Sequence, residues 1–338
     1  MAVNMRITTN MVMRNYNNNL SATLGGLESS RKQVETNRRF SSSYEDPASS
    51  AKAAILERRY ARNADYLNNV ENVQKWQDTQ EDIATQLSNI AKEIDKRYSV
   101  EALNDTNADL DTRKVYAQTL RGLQEQMVQT LNTRYGETFA VAGAGGKEQP
   151  FELTADGVLT YRGVDVNSDD PNDQKILEEL SQEATYIDLG LGLGEDGAEV
   201  SSSTAFNSAL PGINLVGYGK DEQGVSKNLV VLVGQMADAL EEETFDRDAY
   251  EAMWENFSEG SSQLRDEIAT LGTKTQMLTQ MKTRLESEKL AITEQYDNAV
   301  NIDPAEAIMN YSWSMYAYNT ALKVGTSIIT PSLLDFLN

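Results

Sequence analysis

The longest regular pattern in this sequence lies between residues 250 and 299. Mostly apolar side chains alternate at spacings of four and three from Tyr250 to Leu278 without a slip, and Leu285, Ile292 and Ala299 continue the same register. This spacing is typical of a helix that packs one face along another helix. Since fifty residues of helix are about 75 Å long, the pattern predicts an elongated helical bundle.

A second coiled-coil pattern occurs in the N-terminal half. Asp46-Pro47 has the form of a helix start, and residues 73–94 then alternate at three and four, with only Gln80 polar. A third apolar stripe follows at residues 116–131. Because helices occupy both ends of the chain, we predict a mainly α fold, an elongated antiparallel bundle of the N- and C-terminal halves.

Shorter helical stripes lie at the two ends of the chain. One runs from Met13 to Leu27, and the other begins at Asp303-Pro304 and continues to Ile329. Burying the six or seven apolar side chains of the second stripe contributes roughly 10–20 kcal/mol. Ordering the roughly 36 residues from 303 onward costs more, at about 1–2 kcal/mol each. The C-terminal helix should therefore need a partner.

Between the helical segments, residues 141–224 have short apolar runs, glycines and turns. Asp156-Gly157 lies between two such runs and is a hairpin signal, and residues 185–189 are predicted to form a further strand. We predict a small β-rich or α+β inserted domain at the tip of the bundle. The expected domains are a terminal helical pair (1–43 with 301–338), the long-helix bundle (44–140 with 225–300) and the insertion (141–224).

Composition restricts the functional class. The chain has no cysteine and no histidine, which excludes disulfides and thiol nucleophiles and removes the commonest general base and metal ligand. Its net charge of −22 argues against nucleic acid, whose phosphates are bound by excess Lys and Arg. No apolar run reaches the length of a membrane span, and the N-terminal region lacks a signal-peptide core. We therefore expect no enzyme activity, no cofactor, and neither nucleic acid nor membrane as a partner.

Several short motifs could suggest binding sites. Residues 192–197 fit the letters GxGxxG, but a dinucleotide site needs a helix start after the loop, and this loop holds two adjacent carboxylates. Asp165, Asn167 and Asp169 resemble the start of a calcium loop that lacks the required glycine and glutamate further on. We interpret both as turns or solvated loops. The basic group at 58–62 marks either a partner groove or a solvated helix surface.

The ends of the sequence carry motifs of a known family. Met5-Arg6-Ile7-Thr8-Thr9-Asn10-Met11 is similar to the opening of the bacterial flagellin superfamily, and Glu45-Asp46-Pro47-Ala48 stands where that family has an acidic turn before its first long helix. Ser332-Leu333-Leu334-Asp335-Phe336-Leu337 resembles the closing motif, and Asn37 stands where the family has glycine. The resemblance covers roughly the first 100 and last 75 residues and is closest to the hook-associated branch.

This resemblance implies a structural protein of the bacterial flagellum that joins hook to filament. The terminal helices would be disordered in the free monomer and ordered in the fibre, with the insertion on the fibre surface. Implied partners are a neighbouring hook-associated protein, flagellin, further copies in a ring or helical fibre, an export chaperone and the type III flagellar export apparatus. Export by this route would place the protein outside the cell without a cleaved signal peptide. Three alternatives stay open: flagellin, the bulk filament subunit; a coiled-coil adaptor unrelated to flagella; and an enzyme, whose site would have to lie in the insertion.

The expected assembly contacts are apolar residues of the terminal helices and of the closing motif. These residues should bury against each other and against neighbouring subunits. The set consists of Ile7, Tyr16, Leu20, Leu24, Ile308, Tyr311, Met315, Tyr318, Leu322, Leu334 and Phe336.

Overall fold

The computed structural model describes residues 9–99, 109–192, 194–196, 199–200 and 205–329. The fold is mainly helical, as predicted, with small antiparallel sheets. The helices are α1 (Thr9–Thr36), α2 (Pro47–Glu93, extended by the π-helical Ile94–Ser99), α3 (Leu110–Leu131), α4 (Pro171–Ser181), α5 (Ile213–Val216), α6 (Leu229–Glu241), α7 (Arg247–Val300) and α8 (Pro304–Ile329). The strands are β1 (Arg134–Tyr135), β2 (Thr138–Phe139), β3 (Phe151–Leu153), β4 (Leu159–Tyr161), β5 (Val164–Asp165), β6 (Tyr186–Ile187), β7 (Glu195–Asp196), β8 (Glu199–Val200) and β9 (Phe206–Asn207).

The chain divides into two compact units. Unit 1 consists of Met1–Ala64 and Ser287–Asn338, and unit 2 is Asp65–Glu286. Helices α2 and α7 each contribute one part to either unit. The division into three domains expected from the sequence stays a prediction.

In unit 2, one row of the α7 heptad pattern is completely buried. Tyr250, Phe257, Leu264, Leu271 and Leu278 lie seven residues apart, and each is 0% exposed. Because seven residues are almost two helical turns, this row stays on one face of the helix. The register predicted from the sequence is confirmed.

The predicted α2 seam is buried in the same way. Ile83, Leu87 and Ile94 belong to the core of unit 2. Gln80, the polar member of the seam, is buried too, and its side-chain amide donates a hydrogen bond to the carbonyl of Ala140 at 2.9 Å. This bond offsets the cost of removing the amide from water.

Helix α6 is buried on most of its sides. The Asn228 side chain caps it by accepting hydrogen bonds from the N–H groups of Val230 and Val231 at 3.0 and 3.1 Å. Helix α3 packs along α6, where the Gln124 amide donates to the Val230 carbonyl at 2.9 Å. A Cβ on Gly234 would lie 2.5 Å from that amide nitrogen, so glycine leaves the space that the hydrogen bond needs.

The predicted hairpin is present in the insertion. Strands β3 and β4 pair antiparallel with Phe151 opposite Tyr161, and Gly157 has a φ of 80° in the turn between them. Strand β5 completes a sheet in the order β3-β4-β5. The strand expected at residues 185–189 is the shorter β6, which pairs with β9. Since α4 and α5 also lie in this segment, the insertion is α+β and not all β.

Candidate assembly interface

The terminal helices α1 and α8 form an antiparallel pair in unit 1. Asn301, just before α8, bridges to Arg38, just after α1. At the other end of α8, Gly325 lies against the Tyr16 side chain near the start of α1. The predicted cap is also present, since the Asp303 carboxylate accepts a hydrogen bond from the backbone N–H two residues further on at 2.7 Å.

The less exposed face of α8 combines small side chains with Tyr311 and Tyr318. Ala307 and Gly325 are buried, and Ser314 and Ala321 are half-buried. Small contact residues allow two helix axes to approach closely. A Cβ added to Gly325 would overlap the Tyr16 ring and hydroxyl, so the seam has no spare volume at this end.

The row beside this seam is bulky and largely uncovered. Ile308, Met315 and Leu322 lie seven residues apart, and they are 56%, 38% and 40% exposed. Tyr311 and Tyr318 are half-buried like Ser314 and Ala321, and they alternate with the small residues of the seam at spacings of four and three. Helix α8 therefore presents a second heptad row that its α1 partner does not cover.

The remaining surface of α8 carries further large apolar side chains among exposed polar residues such as Ser312, Asn319 and Thr320. Met309, Trp313, Tyr316 and Val324 are all between 48% and 67% exposed. Of the 26 residues in the helix, only a glutamate and a lysine are charged. A group of large apolar side chains exposed on one helix marks an interaction site, so this surface is the strongest candidate interface in the described part of the chain.

Helix α1 also has exposed apolar side chains, but its surface is less apolar than that of α8. Met11, Met13, Leu24 and Val34 are exposed on it, but asparagines at positions 17–19 and several charged residues separate them. The outward faces of the helix pair therefore differ, and that of α8 is the more apolar.

The contact residues expected from the sequence fall into three groups. The half-buried members are Tyr16, Leu20, Tyr311 and Tyr318. The exposed members are Leu24, Ile308, Met315 and Leu322. Three members lie outside the described residues: Ile7, Leu334 and Phe336. Contact of any of them with a neighbouring subunit stays a prediction.

Of the small residues in the α1–α8 seam, the sequence pattern identified Gly325 and missed the other three. Ala307, Ser314 and Ala321 recur at intervals of seven, one position before Ile308, Met315 and Leu322. The sequence interpretation selected the row of large side chains as contact residues. The regular repeat of small residues could have identified the seam.

Backbone hydrogen bonds join the two helix breaks of unit 1. The N–H of Ile302 donates to the carbonyl of Asn37 at 3.2 Å, and the N–H of Arg39 donates to the carbonyl of Val300 at 2.7 Å. Asn37 has a φ of 57°, in the left-handed region that asparagine tolerates better than most residues. The turn therefore forms with asparagine where the family has glycine.

Other sequence motifs have structural roles. In the calcium-like segment, Asp165 accepts a hydrogen bond from the N–H of Asn167, and Asp169 pairs with a lysine. The GxGxxG segment leads into β7, which pairs with β8 in a hairpin, whereas a dinucleotide site needs a helix there. The basic side chains at 58–62 lie on the exposed surface of α2.

Shifted pKa values in unit 2 follow burial and ion pairing. Burial raises the pKa of Tyr161 and of Tyr250, and a hydrogen bond from Arg121 lowers the pKa of Glu241. Within the described ranges, no group of three or more acidic side chains could hold a metal ion. Nor does any helix among those residues have the length and apolarity to cross a membrane.

No known protein-family model matches the chain. Over 343 residues, it is 23% identical to flagellar hook-associated protein 3 of Salmonella typhimurium, and the alignment covers 98% of this chain and 99% of that protein. The chain resembles hook-associated protein 3 along almost its whole length. The resemblance predicted from the terminal motifs is thereby confirmed.

Solved structures share the fold. A protein of Vibrio parahaemolyticus described as a flagellar hook-associated protein has a TM-score of 0.59 at 15% identity, covering 76% of this chain and 100% of that one. Bacillus cereus FlgL has a TM-score of 0.52 at 14% identity, covering 72% and 99%. Xanthomonas campestris FlgL in one crystal form also has a TM-score of 0.52, at 15% identity, covering 72% and 99%. The mainly helical body with a small sheet-containing insertion is therefore the fold of these flagellar proteins.

Proposed function

We propose that this chain is a structural, non-enzymatic component of the bacterial flagellum that joins the hook to the filament. The observation that carries the proposal is the α8 surface, where Ile308, Met315 and Leu322 form an exposed heptad row that no helix in the described part of the chain covers. A contiguous apolar surface of this kind marks an interaction site. The resemblance to hook-associated protein 3 supports the proposal that this surface contacts other subunits in a fibre.

The distribution of charge supports the same proposal. Unit 1 contains 12 basic and 11 acidic residues, a net charge of +1, whereas unit 2 contains 18 and 41, a net charge of −23. Copies of a nearly neutral unit can pack closely without strong electrostatic repulsion. The strongly acidic unit 2 is suited to contact with water.

The proposed neighbours are another hook-associated protein, flagellin and further copies of the chain. Copies would meet through unlike surfaces, a geometry that closes into a ring or continues as a helix. We propose that an export chaperone and the flagellar type III apparatus deliver the chain to the outside of the cell. Its place there would be the junction between hook and filament.

Immunogold labelling of intact flagella tests the location. An antibody raised against residues 141–224 should give a single band where the hook meets the filament. Labelling along the whole filament would make the chain a flagellin. Absence of label, with the insertion accessible to the antibody in the isolated protein, would favour the coiled-coil adaptor.

A single substitution on α8 tests the proposed interface. Leu322→Asp places a charge in the exposed heptad row, so it should leave a soluble monomer with nearly unchanged helix content by circular dichroism and abolish incorporation into flagella. Leu290→Asp is the matched control, since it makes the same exchange at an exposed residue of α7, outside the α8 row, and should still allow incorporation. Unfolding of the Leu322→Asp monomer, or its normal incorporation, would contradict the proposal.

A further inference from the structure

Unit 2 contains a polar cleft between α3, α6 and the turn of the β3–β4 hairpin. The cleft has two adjoining compartments of about 600 and 260 Å³. Five residues belong to the walls of both compartments: Arg121, Gln124, Asp156, Gly157 and Asp238. Since the larger compartment lies within the ~300–1,000 Å³ typical of small-molecule sites, the cleft is large enough for an elongated ligand or a long side chain.

Negative charge dominates the walls of this cleft. Its charged lining residues carry a net charge of −3, from one arginine, Arg121, and four carboxylates: Glu125, Asp156, Asp165 and Asp238. Just outside, Glu241 and Lys114 interact electrostatically, and counting both leaves the net charge unchanged. Because a cleft lined by one sign of charge concentrates ions of the opposite sign, the ligand should be a cation.

The arginine of the cleft does not neutralise all of these carboxylates. Arg121 donates hydrogen bonds to Asp238 and Glu241. Glu125 and Asp156 are exposed and have no ion-pair partner among the residues that the structure describes. Two carboxylates on opposite walls, one on α3 and one in the hairpin turn, are therefore open to an external cation.

A buried amide in the cleft points to the same class of ligand. Gln124 is 5% exposed and lines both compartments. Its Nε2 donates to the Val230 carbonyl at 2.9 Å, whereas its Oε1 has no hydrogen-bond donor in the described part of the chain. A buried carbonyl oxygen without a donor keeps its full cost of desolvation. A ligand N–H group that reaches this oxygen would recover that cost.

The remaining walls suit an organic cation better than a metal ion. Within the described ranges, no group of three or more acidic side chains could hold a metal ion. Aliphatic side chains alternate with the polar ones and offer contact to a methylene chain; they are Val128, Leu153, Leu159 and Val231. A flexible alkyl chain with charged N–H donors matches both features.

We propose that this cleft binds an elongated alkyl cation with ammonium or guanidinium groups. Its N–H donors would reach the carboxylates of Glu125 and Asp156 and the Oε1 of Gln124, while its methylene chain lies against the aliphatic wall. A free polyamine and a lysine or arginine side chain of a second copy present this same chemistry. The inference goes beyond the proposed function and does not depend on a place in the flagellum.

Calorimetric titration of the full-length chain with spermidine tests the site. Spermidine should bind, and the double variant Glu125→Gln, Asp156→Asn should weaken its binding at least fivefold. Both changes preserve local structure, because glutamine is a good helix former and Asn-Gly is a favoured hairpin turn.

The matched control is the double variant Glu178→Gln, Glu255→Gln. It removes the same charge at two exposed positions outside the cleft and should change spermidine binding less than twofold. Absence of binding at millimolar spermidine, or equal weakening by the two double variants, would overturn the proposal.

Sedimentation velocity distinguishes the two sources of the cation. If a basic side chain of a second copy enters the cleft, the chain should self-associate, and both spermidine and the Glu125→Gln, Asp156→Asn variant should reduce that association. Spermidine binding without such self-association would identify a free polyamine as the ligand. A labelled band at the hook–filament junction without spermidine binding would overturn the cleft site and leave the proposed function standing.

Discussion

The two units use the same heptad spacing in opposite ways. In unit 2, the α7 row that includes Phe257 and Leu264 is completely buried by other parts of the same unit. In unit 1, the α8 row of Ile308, Met315 and Leu322 is exposed. A heptad pattern thus shows that a helix face is apolar enough to be covered, without identifying what covers it. We propose that copies of the chain cover the face in unit 1.

Net charge also differs between the two units. Unit 2 carries a net charge of −23 and unit 1 a net charge of +1. Repulsion between like charges therefore opposes close packing of unit 2 copies far more than packing of unit 1 copies. The contrast can be tested by substitutions whose effects should differ between the units.

The largest expected effect is loss of a core side chain in unit 2. Phe257→Ala should lower the free energy of unfolding by about 3–5 kcal/mol, because it leaves a cavity in a close-packed core. Trp313→Ala removes a larger side chain from the exposed surface of α8. It should change the free energy of unfolding of the free chain by less than about 0.5 kcal/mol. Urea unfolding of the two variants measures both values. A large loss for Trp313→Ala would show that the monomer already covers α8.

A smaller effect is expected at the tight end of the α1–α8 seam. Gly325→Ala should destabilise the helix pair by about 1–3 kcal/mol, because the added methyl group would overlap the Tyr16 side chain. Hydrogen exchange of the α8 amides should accelerate accordingly. Gly272→Ala is the control, since its methyl group would meet nothing within 4 Å and should stabilise α7 by about 0.4–1 kcal/mol. Unchanged exchange in Gly325→Ala would argue against close packing of the two helices.

Replacing Asn37, in the turn after α1, should lower the free energy of unfolding by about 1–2 kcal/mol or leave it nearly unchanged, depending on the new residue. Asn37→Ala places a side chain with little tolerance for the left-handed region at a φ of 57° and should cost that amount. Asn37→Gly should be nearly neutral, because glycine adopts this conformation without strain. Thermal unfolding and amide exchange at Ile302 measure the difference. Equal stability of the two variants would show that the turn does not require this conformation.

The smallest expected effect is a pH dependence in unit 2. The pKa of Glu241 is lowered from 4.5, mainly by its hydrogen bond from Arg121, so this interaction stabilises the fold at neutral pH. The contribution is lost as the pH falls below about 4.5 and through the lowered pKa in the folded state. Since both side chains are partly exposed, its size should be about 0.2–1 kcal/mol. Arg121→Gln should flatten the fall in stability between pH 5 and pH 3, and an unaltered slope would contradict this assignment.

The sequence predicted the long helices well because their buried residues repeat at fixed intervals. The Tyr250 to Leu278 register, the α2 seam and the Asp156-Gly157 hairpin all depend on local patterns that the structure retains. The buried Gln80 was also placed correctly on its seam, although its hydrogen-bond acceptor, the Ala140 carbonyl, lies 60 residues away. Such a distant partner cannot be found from spacing alone.

The candidate interface was less predictable. Periodicity placed Tyr311 and Tyr318 in one seam with the bulky row on α8, so it did not distinguish the face that meets α1 from the face that stays open. That choice depends on the fit of Ala307, Ser314 and Gly325 against α1, a property of two surfaces together. The left-handed turn at Asn37 was also difficult to predict. This chain has asparagine where the family motif has glycine, the residue that usually indicates such a turn.

The backbone hydrogen bonds between the two helix breaks have a consequence for cleavage by proteases. The loop at residues 41–45 connects α1 to α2, whereas the bonds from Asn37 to Ile302 and from Arg39 to Val300 lie on the α1 side of that loop. Wherever the terminal helices are ordered as a pair, a cut in the loop would therefore produce two fragments that remain associated through these bonds and the α1–α8 seam. The N-terminal helix would be retained by a nicked molecule although its peptide connection had been lost.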